Sequence, residues 1–475
     1  MTSYLIGIDN GSQSSKVTVY DENGRVHAEG RVPLQPNHTP RPGIVEHPGD
    51  DLWESTSQAC RIALADFPGN SADIAGVGLC SIRFCRAILR RDGSLAQPVQ
   101  SWMDARVSRP FQVETHDAAY VTTSSGYLTH RLTGRFRDTV ANYQGMWPVD
   151  TAQWAWSTND ADYERTGIRP EQLFELAPPG EVLGTVTAEA AAHTGLPEGL
   201  PVVATANDKA VEALGAGLRE PSTLLVSLGT YIAGMTVGNT NVQDPQSFWT
   251  NFGSQPGVYL YESHGIRRGM WTVSWFRDLI GDDGTTKAVE LGNSLESQLN
   301  RGAEIVPPGS DGLLTVLDWL APTEVPYRKG SFLGFDVRHG RDHMYRSILE
   351  SIAMTMKDSC DTMVSELGTR FDQVMVSGGG ASSDVMMQIM ADVFEVDSVR
   401  INGPSAAGKG AAICAAVATG VAPTFEAAAE AMASHRDCFS PNIANSQTYR
   451  QLGQVLRNVR TYTDPVFELT ARIVD

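Results

Sequence analysis

The stretch from Tyr4 to Tyr20 constrains the fold of this chain more than any other part of the sequence. Its letters, YLIGIDNGSQSSKVTVY, place a turn rich in glycine and hydroxyl groups between two apolar runs. This pattern predicts a β-hairpin, because the turn leads back into a strand and not into a helix as a Walker loop does. A phosphate at the turn would meet backbone N–H groups and hydroxyls, and Asp9 would offer Mg²⁺ an oxygen ligand. An ordinary turn with one exposed Asp is the alternative interpretation.

Length and charge narrow the class of protein. A chain of 475 residues is too long for one hydrophobic core and suits two or three domains. The formal net charge of −18 argues against a nucleic-acid or anionic-membrane surface, although a local basic pocket stays open. No apolar run approaches the roughly 20 residues that span a bilayer, and the chain enters a strand at once, without a signal peptide. We therefore expect a cytoplasmic protein with no nucleic-acid partner and no membrane contact.

The cysteines are scattered and form neither a CxxC pair nor a zinc motif. They are Cys60, Cys80, Cys85, Cys360, Cys414 and Cys438. This usage predicts reduced thiols, most of them buried.

Polar residues follow a buried strand predicted at residues 74–79. Because the carboxyl ends of strands face the ligand in open α/β sheets, Arg83 is a candidate contact. A second polar cluster follows with Trp102 and Asp104. Arg83 as the partner of a structural ion pair is the alternative, since arginine is rarely buried without a mate. Phe84 and Trp102 as simple core aromatics are likewise left open.

A carboxylate is predicted where a later strand gives way to a helix. The apolar run at residues 200–204 stops shortly before Asn207-Asp208-Lys209, and a helix of small residues follows from Ala210. A helix N-terminus favours the ionised form of Asp208. A purely structural helix cap is the alternative.

A second stretch repeats the pattern of the opening hairpin. Strand residues 224–227 and 231–237 flank the turn that contains Gly229 and Thr230. Two such hairpins predict two phosphate-binding turns that face one cleft, and a chance resemblance is the alternative. Residues 239–255 are rich in Asn, Gln, Asp and Pro, so we predict one domain over residues 1–243 and another over 244–475.

Two glycine-rich turns lie in the second half. The strand at residues 374–377 runs into Gly378-Gly379-Gly380 and then a helix capped by Ser383 or Asp384, which would let a nucleotide approach the backbone. The spacing is not that of a dinucleotide fingerprint, so NAD is disfavoured. The segment GPSAAGKG at 403–410 has Walker spacing, but Gly410 replaces the Ser or Thr that should bind Mg²⁺. Its small residues instead indicate close helix packing.

Apolar periodicity and capping residues predict further helices. They cover residues 50–66, 119–131, 269–279, 342–367 and 449–461. Together with the strands they indicate an α/β fold.

Taken in order, these features resemble the FGGY family of carbohydrate kinases over essentially the whole chain. The segments that carry the resemblance are GIDNGSQSSK, LCSIRFC, SWMDAR, YLTHRLTGRF, ANDKAVEALGAG, VSLGTY, SGGGASSDVMMQIMADV and GKGAA. The resemblance implies the two-lobed, ribonuclease H-like ATPase fold of actin, hexokinase and Hsp70. In that fold, ATP and an open-chain sugar or polyol meet in a central cleft.

The resemblance also implies roles for individual residues. Asp208 resembles the catalytic base of the family, and Asp9 resembles its Mg²⁺-organising carboxylate. The positions implied for ATP are Gly11, Ser12, Gln13, Lys16, Gly229, Thr230, Gly379, Gly380 and Ser383, of which the last three fall where the family holds the adenosine half. The positions implied for the sugar are Arg83, Phe84, Trp102, Asp104 and Lys209.

Three positions depart from the residues that are usual in the family. Ile82 stands where many members carry Gln, Phe84 stands where Glu or His is frequent, and Lys209 replaces the usual Gln after the base. Because these changes remove neutral hydroxyl contacts, the pattern resembles a subgroup without an assigned substrate. If Arg83 and Lys209 both face the pocket, a substrate with a carboxylate or phosphate would suit it.

The resemblance implies an enzyme that transfers the γ-phosphoryl group of ATP, with Mg²⁺, to a terminal hydroxyl of a small ketose or alditol. A non-catalytic sugar-responsive binding protein, or an ATPase switch like actin or Hsp70, is the alternative on the same fold. The presence of both Asp9 and Asp208 favours the enzyme, because a pure binder needs no base. The identity of the substrate and the oligomeric state, with a homodimer as one option, stay open.

Overall fold

The computed structural model of the protein describes residues 3–280, 294–322, 324–403 and 405–474. The strands are β1 (Tyr4–Asn10), β2 (Ser14–Asp21), β3 (Val26–Pro33), β4 (Ile74–Ser81), β5 (Arg86–Leu89), β6 (Tyr120–Thr123), β7 (Arg137–Thr139), β8 (Val149–Asp150), β9 (Ala155–Trp156), β10 (Glu175–Ala177), β11 (Val182–Thr185), β12 (Pro201–Val203), β13 (Thr223–Leu228), β14 (Ile232–Gly238), β15 (Phe248–Phe252), β16 (Tyr259–Ser263), β17 (Leu314–Val316), β18 (Ser331–Leu333), β19 (Gln373–Ser377), β20 (Asp397–Ile401) and β21 (His435–Phe439). The described helices are α1 (Asp51–Asp66), α2 (Ser124–Thr133), α3 (Asp160–Thr166), α4 (Ala188–Thr194), α5 (Asp208–Ala216), α6 (Gly269–Ile280), α7 (Leu295–Ile305), α8 (Arg341–Leu367), α9 (Asp384–Phe394), α10 (Ala406–Ala418), α11 (Phe425–Met432) and α12 (Ile443–Val474).

The first large sheet contains the opening hairpin. Its six strands run in the order β11-β12-β4-β1-β2-β3, with β1 antiparallel to β2 and parallel to β4. The hairpin predicted from the sequence is therefore confirmed. Asp9 lies beside Cys80 in the register of β1 and β4, so the carboxyl ends of both strands lie at one edge of the sheet. Helices α1 and α2 cover a core of buried apolar residues on this sheet.

The second large sheet contains the second hairpin. Its seven strands run in the order β15-β16-β14-β13-β19-β20-β21, and β13 is antiparallel to β14 and parallel to β19. This second predicted hairpin is also confirmed, and the two hairpins belong to different sheets. The first strand of the second sheet along the chain begins at Thr223, which is about twenty residues before the predicted domain boundary. The boundary between residues 243 and 244 stays a prediction.

Helices α5 and α10 pack against each other with their backbones in close contact. An added Cβ at Gly410 would lie 1.9 Å from the Val211 carbonyl oxygen, and one at Gly7 of β1 would lie 1.8 Å from the Gly408 carbonyl oxygen. The amine of Lys409 is buried and donates to the Asn402 carbonyl at 3.1 Å. The interpretation of GPSAAGKG as a packing segment is therefore confirmed. Through α10 the second half of the chain is fastened to the first sheet.

We expect Gly410→Ala to lower the free energy of unfolding by about 1–3 kcal/mol, the usual cost of overpacking a core. The new methyl group would meet backbone atoms of α5, so the two helices would have to separate. Urea unfolding measures the loss. The control is Gly453→Ala in α12, where an added Cβ meets no atom within 4 Å and the helix gains up to about 1 kcal/mol. An unchanged unfolding midpoint for Gly410→Ala would show that the helices pack more loosely than described.

The helix predicted at residues 119–131 is wrong in its first turn. Residues Tyr120–Thr123 form β6, which pairs antiparallel with β5, and helix α2 begins at Ser124. The β-branched side chains of Val121, Thr122 and Thr123 favour a strand, and Thr123 accepts from the Gly126 N–H as the helix cap. The other predicted helices are confirmed, and the last one extends to Val474.

Two further features of the described chain bear on its class. None of the helices within the described residues is both long enough and apolar enough to cross a membrane. Five of the six cysteines are buried, and Cys438 is exposed. Mostly buried thiols were predicted from the sequence.

Candidate active site

The turns of the two hairpins meet. The Gln13 side-chain amide donates to the Thr230 hydroxyl at 3.3 Å, and this bond joins the turn after β1 to the turn after β13. Backbone N–H groups of the first turn of α6 bond to the carbonyls of Gly229 and Thr230, which fixes the second turn from behind. The two turns predicted to hold phosphate thus lie against each other in the region between the two sheets, here named the crevice.

Asp9 is buried near the end of β1, just before the first turn. Its Oδ2 lies 3.6 Å from the Lys16 ammonium, its register partner on β2, and accepts from the Ser405 hydroxyl at 3.2 Å. Burial raises the pKa of Asp9, and Lys16 and Ser405 oppose part of that rise. Because Ser405 precedes α10, this carboxylate also bonds to the segment that fastens the two halves together.

Asp208 is the first residue of α5, and the cap is its neighbour. The Asn207 side chain accepts from the N–H groups of Lys209 and Ala210, so Asp208 is not needed as the cap. About 33% of the Asp208 side chain is exposed, and its Oδ1 lies 3.8 Å from Nε of Arg83. Burial raises the pKa of Asp208, while the charges of Arg83 and Lys209 lower it in part. A carboxylate that is open to the crevice and easily protonated suits a base.

Two other side chains connect the surroundings of Asp9 and Asp208. Burial raises the pKa of the Cys80 thiol, and the charges of both carboxylates raise it further. Burial and then, among lesser causes, the charge of Glu212 raise the pKa of each carboxyl. The strands that lead to the two acids, β1 and β12, both run parallel to β4, so Asp9 and Asp208 follow the same edge of the first sheet.

Arg83 is paired across the two sheets. Its two terminal nitrogens donate to the two carboxylate oxygens of Glu262 at 2.6 and 2.7 Å, and Glu262 is fully buried in β16. Burial lowers the pKa of the guanidinium, but the charge and hydrogen bonds of Glu262, together with the charge of Asp208, raise it overall. The ion-pair alternative for Arg83 is therefore confirmed. Only its Nε side faces Asp208.

Lys209 is paired as well. Its ammonium lies 2.9 Å from a carboxylate oxygen of Glu212 and donates to the Ser227 hydroxyl at 2.8 Å. The structure thus directs this side chain to β13 and to its own helix. Its predicted contact with a sugar is not supported by this geometry.

Asp104 does not open onto the crevice. Its carboxylate is buried, accepts from the Val45 N–H at 2.7 Å and binds the Arg106 guanidinium at 2.8 and 2.9 Å. Burial raises the pKa of Asp104, but the bonds from Arg106 and the backbone lower it overall. Because the carboxylate is fully engaged by protein groups, the geometry does not support the predicted contact with a sugar.

The two predicted aromatic residues are exposed. Phe84 is 38% and Trp102 is 47% exposed, so the core alternative for them is wrong. Phe84 has a φ of +64°, a region that is unusual for a bulky residue and indicates local strain. Its ring lies beside Arg83, with the guanidinium carbon 5.3 Å from the ring centre. The Phe84 ring therefore provides an apolar surface beside Arg83.

The third predicted turn borders a cavity of about 240 Å³. Gly378 has a φ of +84°, and an added Cβ there would lie 2.6 Å from the Leu228 carbonyl, so this turn presses against the end of β13. Gly379 and Gly380 line the cavity together with Met270, Val273 and Tyr345, among others. Ser383 instead caps α9 and donates to Asn300 at 2.9 Å.

Comparison with family models decides the class of protein. Residues 4–114 and 111–215 match the N-terminal domain of the FGGY family of carbohydrate kinases, and residues 224–419 match its C-terminal domain. The chain belongs to the FGGY family of carbohydrate kinases. It is a carbohydrate kinase, and the family implies ATP as the phosphate donor.

One relative and two solved structures place this FGGY kinase among its neighbours. It is 47% identical to an uncharacterized sugar kinase, YgcE, of Escherichia coli, over 99% of this chain and 96% of that one. A xylulose kinase from Rhodospirillum rubrum superposes with a TM-score of 0.81 at 23% identity, over 98% of this chain and all of that one. A gluconate kinase from Lactobacillus acidophilus superposes with a TM-score of 0.84 at 19% identity, over 99% of this chain and all of that one. These two structures show that the fold is the two-lobed, actin- and hexokinase-like one.

The glycines of two predicted nucleotide turns leave the backbone open in this FGGY kinase, and the role of these turns toward ATP stays a prediction. An added Cβ at Gly379 would meet no atom within 4 Å, and one at Gly229 would meet only the Tyr231 carbonyl at 3.4 Å. The backbone of both turns is therefore open on one side, as a bound phosphate requires. The adjoining cavity is slightly smaller than the roughly 300–1,000 Å³ of drug-sized ligand sites.

Mg²⁺ has less protein support in this kinase. Across the described ranges of the chain, no group of three or more His, Cys, Asp or Glu side chains is arranged to hold a metal ion. Mg²⁺ is usually held by one or two carboxylates together with substrate phosphates and water. Asp9, which lies beside the phosphate turn, is enough for such a site, and its role as ligand stays a prediction.

Two buried acids of this kinase were missed in the sequence. Glu262 is a carboxylate inside the apolar strand YLYES, and a buried charge of this kind requires a partner. Glu212 stands one helical turn after Lys209, at a spacing that brings side chains together. The burial of Glu262 indicates an ion pair but does not identify its partner. The spacing of Lys209 and Glu212 identifies both members of the pair.

Proposed function

We propose that this kinase transfers the γ-phosphoryl group of ATP to a terminal hydroxyl of a small open-chain sugar or polyol, such as a tetrulose, a pentulose or an alditol. The observation that carries the proposal is the position of Asp208. Its carboxylate opens into the crevice on which both hairpin turns converge. The xylulose kinase with the same fold is named for a pentulose, whereas the gluconate kinase is named for a six-carbon sugar acid.

The residues of the crevice would act mainly by positioning and by stabilising charge. Asp208 would accept a hydrogen bond from the attacking hydroxyl, orient it and take up its proton late in the reaction. Asp9 would hold Mg²⁺, which offsets the charge on the phosphates. The ring faces of Phe84 and Trp102 would exclude water, which competes with the sugar as acceptor.

The charges favour a neutral acceptor over a sugar acid. Arg83 and Lys209 are each matched by one buried or half-buried carboxylate, Glu262 and Glu212. An acidic substrate would have to compete with these short internal bonds and would approach Asp208, which repels it. A neutral polyol or ketose neither competes with these ion pairs nor is repelled by Asp208.

An ADP-release screen across C3 to C7 ketoses, alditols and sugar acids tests the proposal. We expect the highest kcat/KM for a neutral acceptor of four or five carbons. If only sugar acids are phosphorylated, the neutral class is wrong although the kinase assignment holds. If ATP is hydrolysed at the same rate with every compound and without any, the transfer itself is wrong and an ATPase switch is favoured.

A further inference from the structure

The first turn of α5 is bonded to both strands that lead into the nucleotide turns. Lys209 donates to the Ser227 hydroxyl at 2.8 Å, and the Ser377 hydroxyl donates to Glu212 at 2.6 Å. Ser227 and Ser377 are register partners on the parallel strands β13 and β19. They lie just before the turns that contain Gly229 and Gly379.

The ion pair between Lys209 and Glu212 lies in the interior. Each side chain is 14% exposed, unlike the solvated pairs that contribute little on helix surfaces. Burial raises the pKa of the Glu212 carboxyl, but the charge of Lys209 and the hydrogen bonds from Ser377, Lys209 and Ser227 together lower it overall. Burial lowers the pKa of Lys209, but Glu212, together with the charges of Asp208 and Glu262, raises it overall. Both groups therefore stay charged and depend on each other.

The pair of Lys209 and Glu212 lies in the same helical turn as Asp208, the proposed base. Asp208 is the first residue of α5 and Lys209 the second, so a shift of this turn relative to β13 and β19 also moves the Asp208 carboxylate. The same shift changes its distance from the turns where ATP phosphates would lie. The sugar side of the crevice, at Phe84 and Trp102, makes no bond to the pair.

We propose that Lys209 and Glu212 are positioning residues, which hold Asp208 in register with the phosphate turns and do not contact the sugar. The proposal rests on the proposed role of Asp208 as base. It assigns Lys209, which replaces a common Gln in sequences of this pattern, to a pair with Glu212 instead of to the substrate.

A double-mutant cycle tests the pair. Lys209→Met and Glu212→Gln are each expected to lower kcat by about 10- to 100-fold, because a displacement of about 1 Å far from the chemistry can cost about 10² in rate. The KM of the acceptor should change less than about twofold, since uniform binding is untouched. The double variant should fall near the worse single variant, as expected for residues that act as one unit.

The assay uses MgATP with the acceptor of highest kcat/KM in the C3 to C7 panel, and also MgATP alone with water as acceptor. Rates are normalised to the stoichiometry of ADP binding, so that misfolded protein does not count as slow enzyme. The matched control is Lys357→Met/Asp361→Asn, an exposed ion pair on α8, which should leave kcat unchanged.

Three results overturn the proposal. A rise in acceptor KM for Lys209→Met with unchanged kcat would make Lys209 a substrate contact. Single effects that multiply in the double variant would make the two residues independent. Unchanged kcat in both single variants would show that the pair does not position the base. Asp208→Asn in the same assay separates a failure of this proposal from a failure of the proposed function. Full activity of Asp208→Asn would show that Asp208 is not the base, whereas the double-mutant cycle would still report whether Lys209 and Glu212 act as one unit.

Discussion

Asp208→Asn is expected to lower kcat by about 10²-fold or more, the usual contribution of a general base. The amide keeps the shape of the side chain but cannot take the proton of the attacking hydroxyl. The fold should be kept, because the helix cap is Asn207 and Arg83 retains Glu262 as its partner. Initial rates of ADP release, together with the thermal unfolding midpoint, measure the two effects separately.

The pH profile adds a second test of the same residue. Burial raises the pKa of Asp208 above its ordinary value, and only the ionised form accepts a proton. The wild-type rate should therefore fall as the pH drops through this raised pKa, and Asp208→Asn should lack that limb. The control is Asp160→Asn, at the first residue of α3 behind an Asn159 cap, which should leave the rate unchanged. Near wild-type turnover in Asp208→Asn would remove Asp208 from the role of base.

Local patterns were enough to predict the elements that carry this site. Each hairpin is encoded by two apolar runs and a glycine-hydroxyl turn within about twenty residues, and both formed as predicted. The small residues of α10 predicted close packing, because a Cβ at Gly410 leaves no room for the backbone of α5. The hairpins depend on residues that are close in the sequence, and the helix packing depends on side-chain volume. Both kinds of information can be read from the sequence alone.

The pairing of charges in the crevice could not be predicted in the same way. Arg83 and Glu262 are 179 residues apart, and Glu212 and Ser377 are 165 apart. Each contact depends on how the two sheets are placed, which no local pattern contains. Residues Tyr120–Thr123 were assigned to a helix for a similar reason, since their partner strand lies at Arg86–Leu89. Lys209 differs from these cases, because its partner Glu212 stands one turn further along the same helix and the spacing alone indicates the pair.

Glu262→Gln is expected to lower the free energy of unfolding by about 3–5 kcal/mol, the usual cost of removing one partner of a buried ion pair. Glu262 is fully buried and the Arg83 side chain is 15% exposed, so the guanidinium would be left without its counter-charge. The Asp208 carboxylate, whose Oδ1 lies 3.8 Å from Nε of Arg83, replaces part of the missing charge. We therefore expect a loss of free energy near the lower end of this range. Guanidinium chloride unfolding measures it.

The double variant Arg83→Met/Glu262→Gln separates the ion pair from ordinary packing. Removal of both charges should cost less than the sum of the single losses by about 0.5–3 kcal/mol, the range for residues in direct contact. The control is Glu395→Gln, because Glu395 binds Arg450 with two hydrogen bonds but on the exposed surface, where the free energy of unfolding should hardly change. Additive losses at Arg83 and Glu262 would mean that the two sheets are not joined by this pair, and that Arg83 is free to meet a substrate.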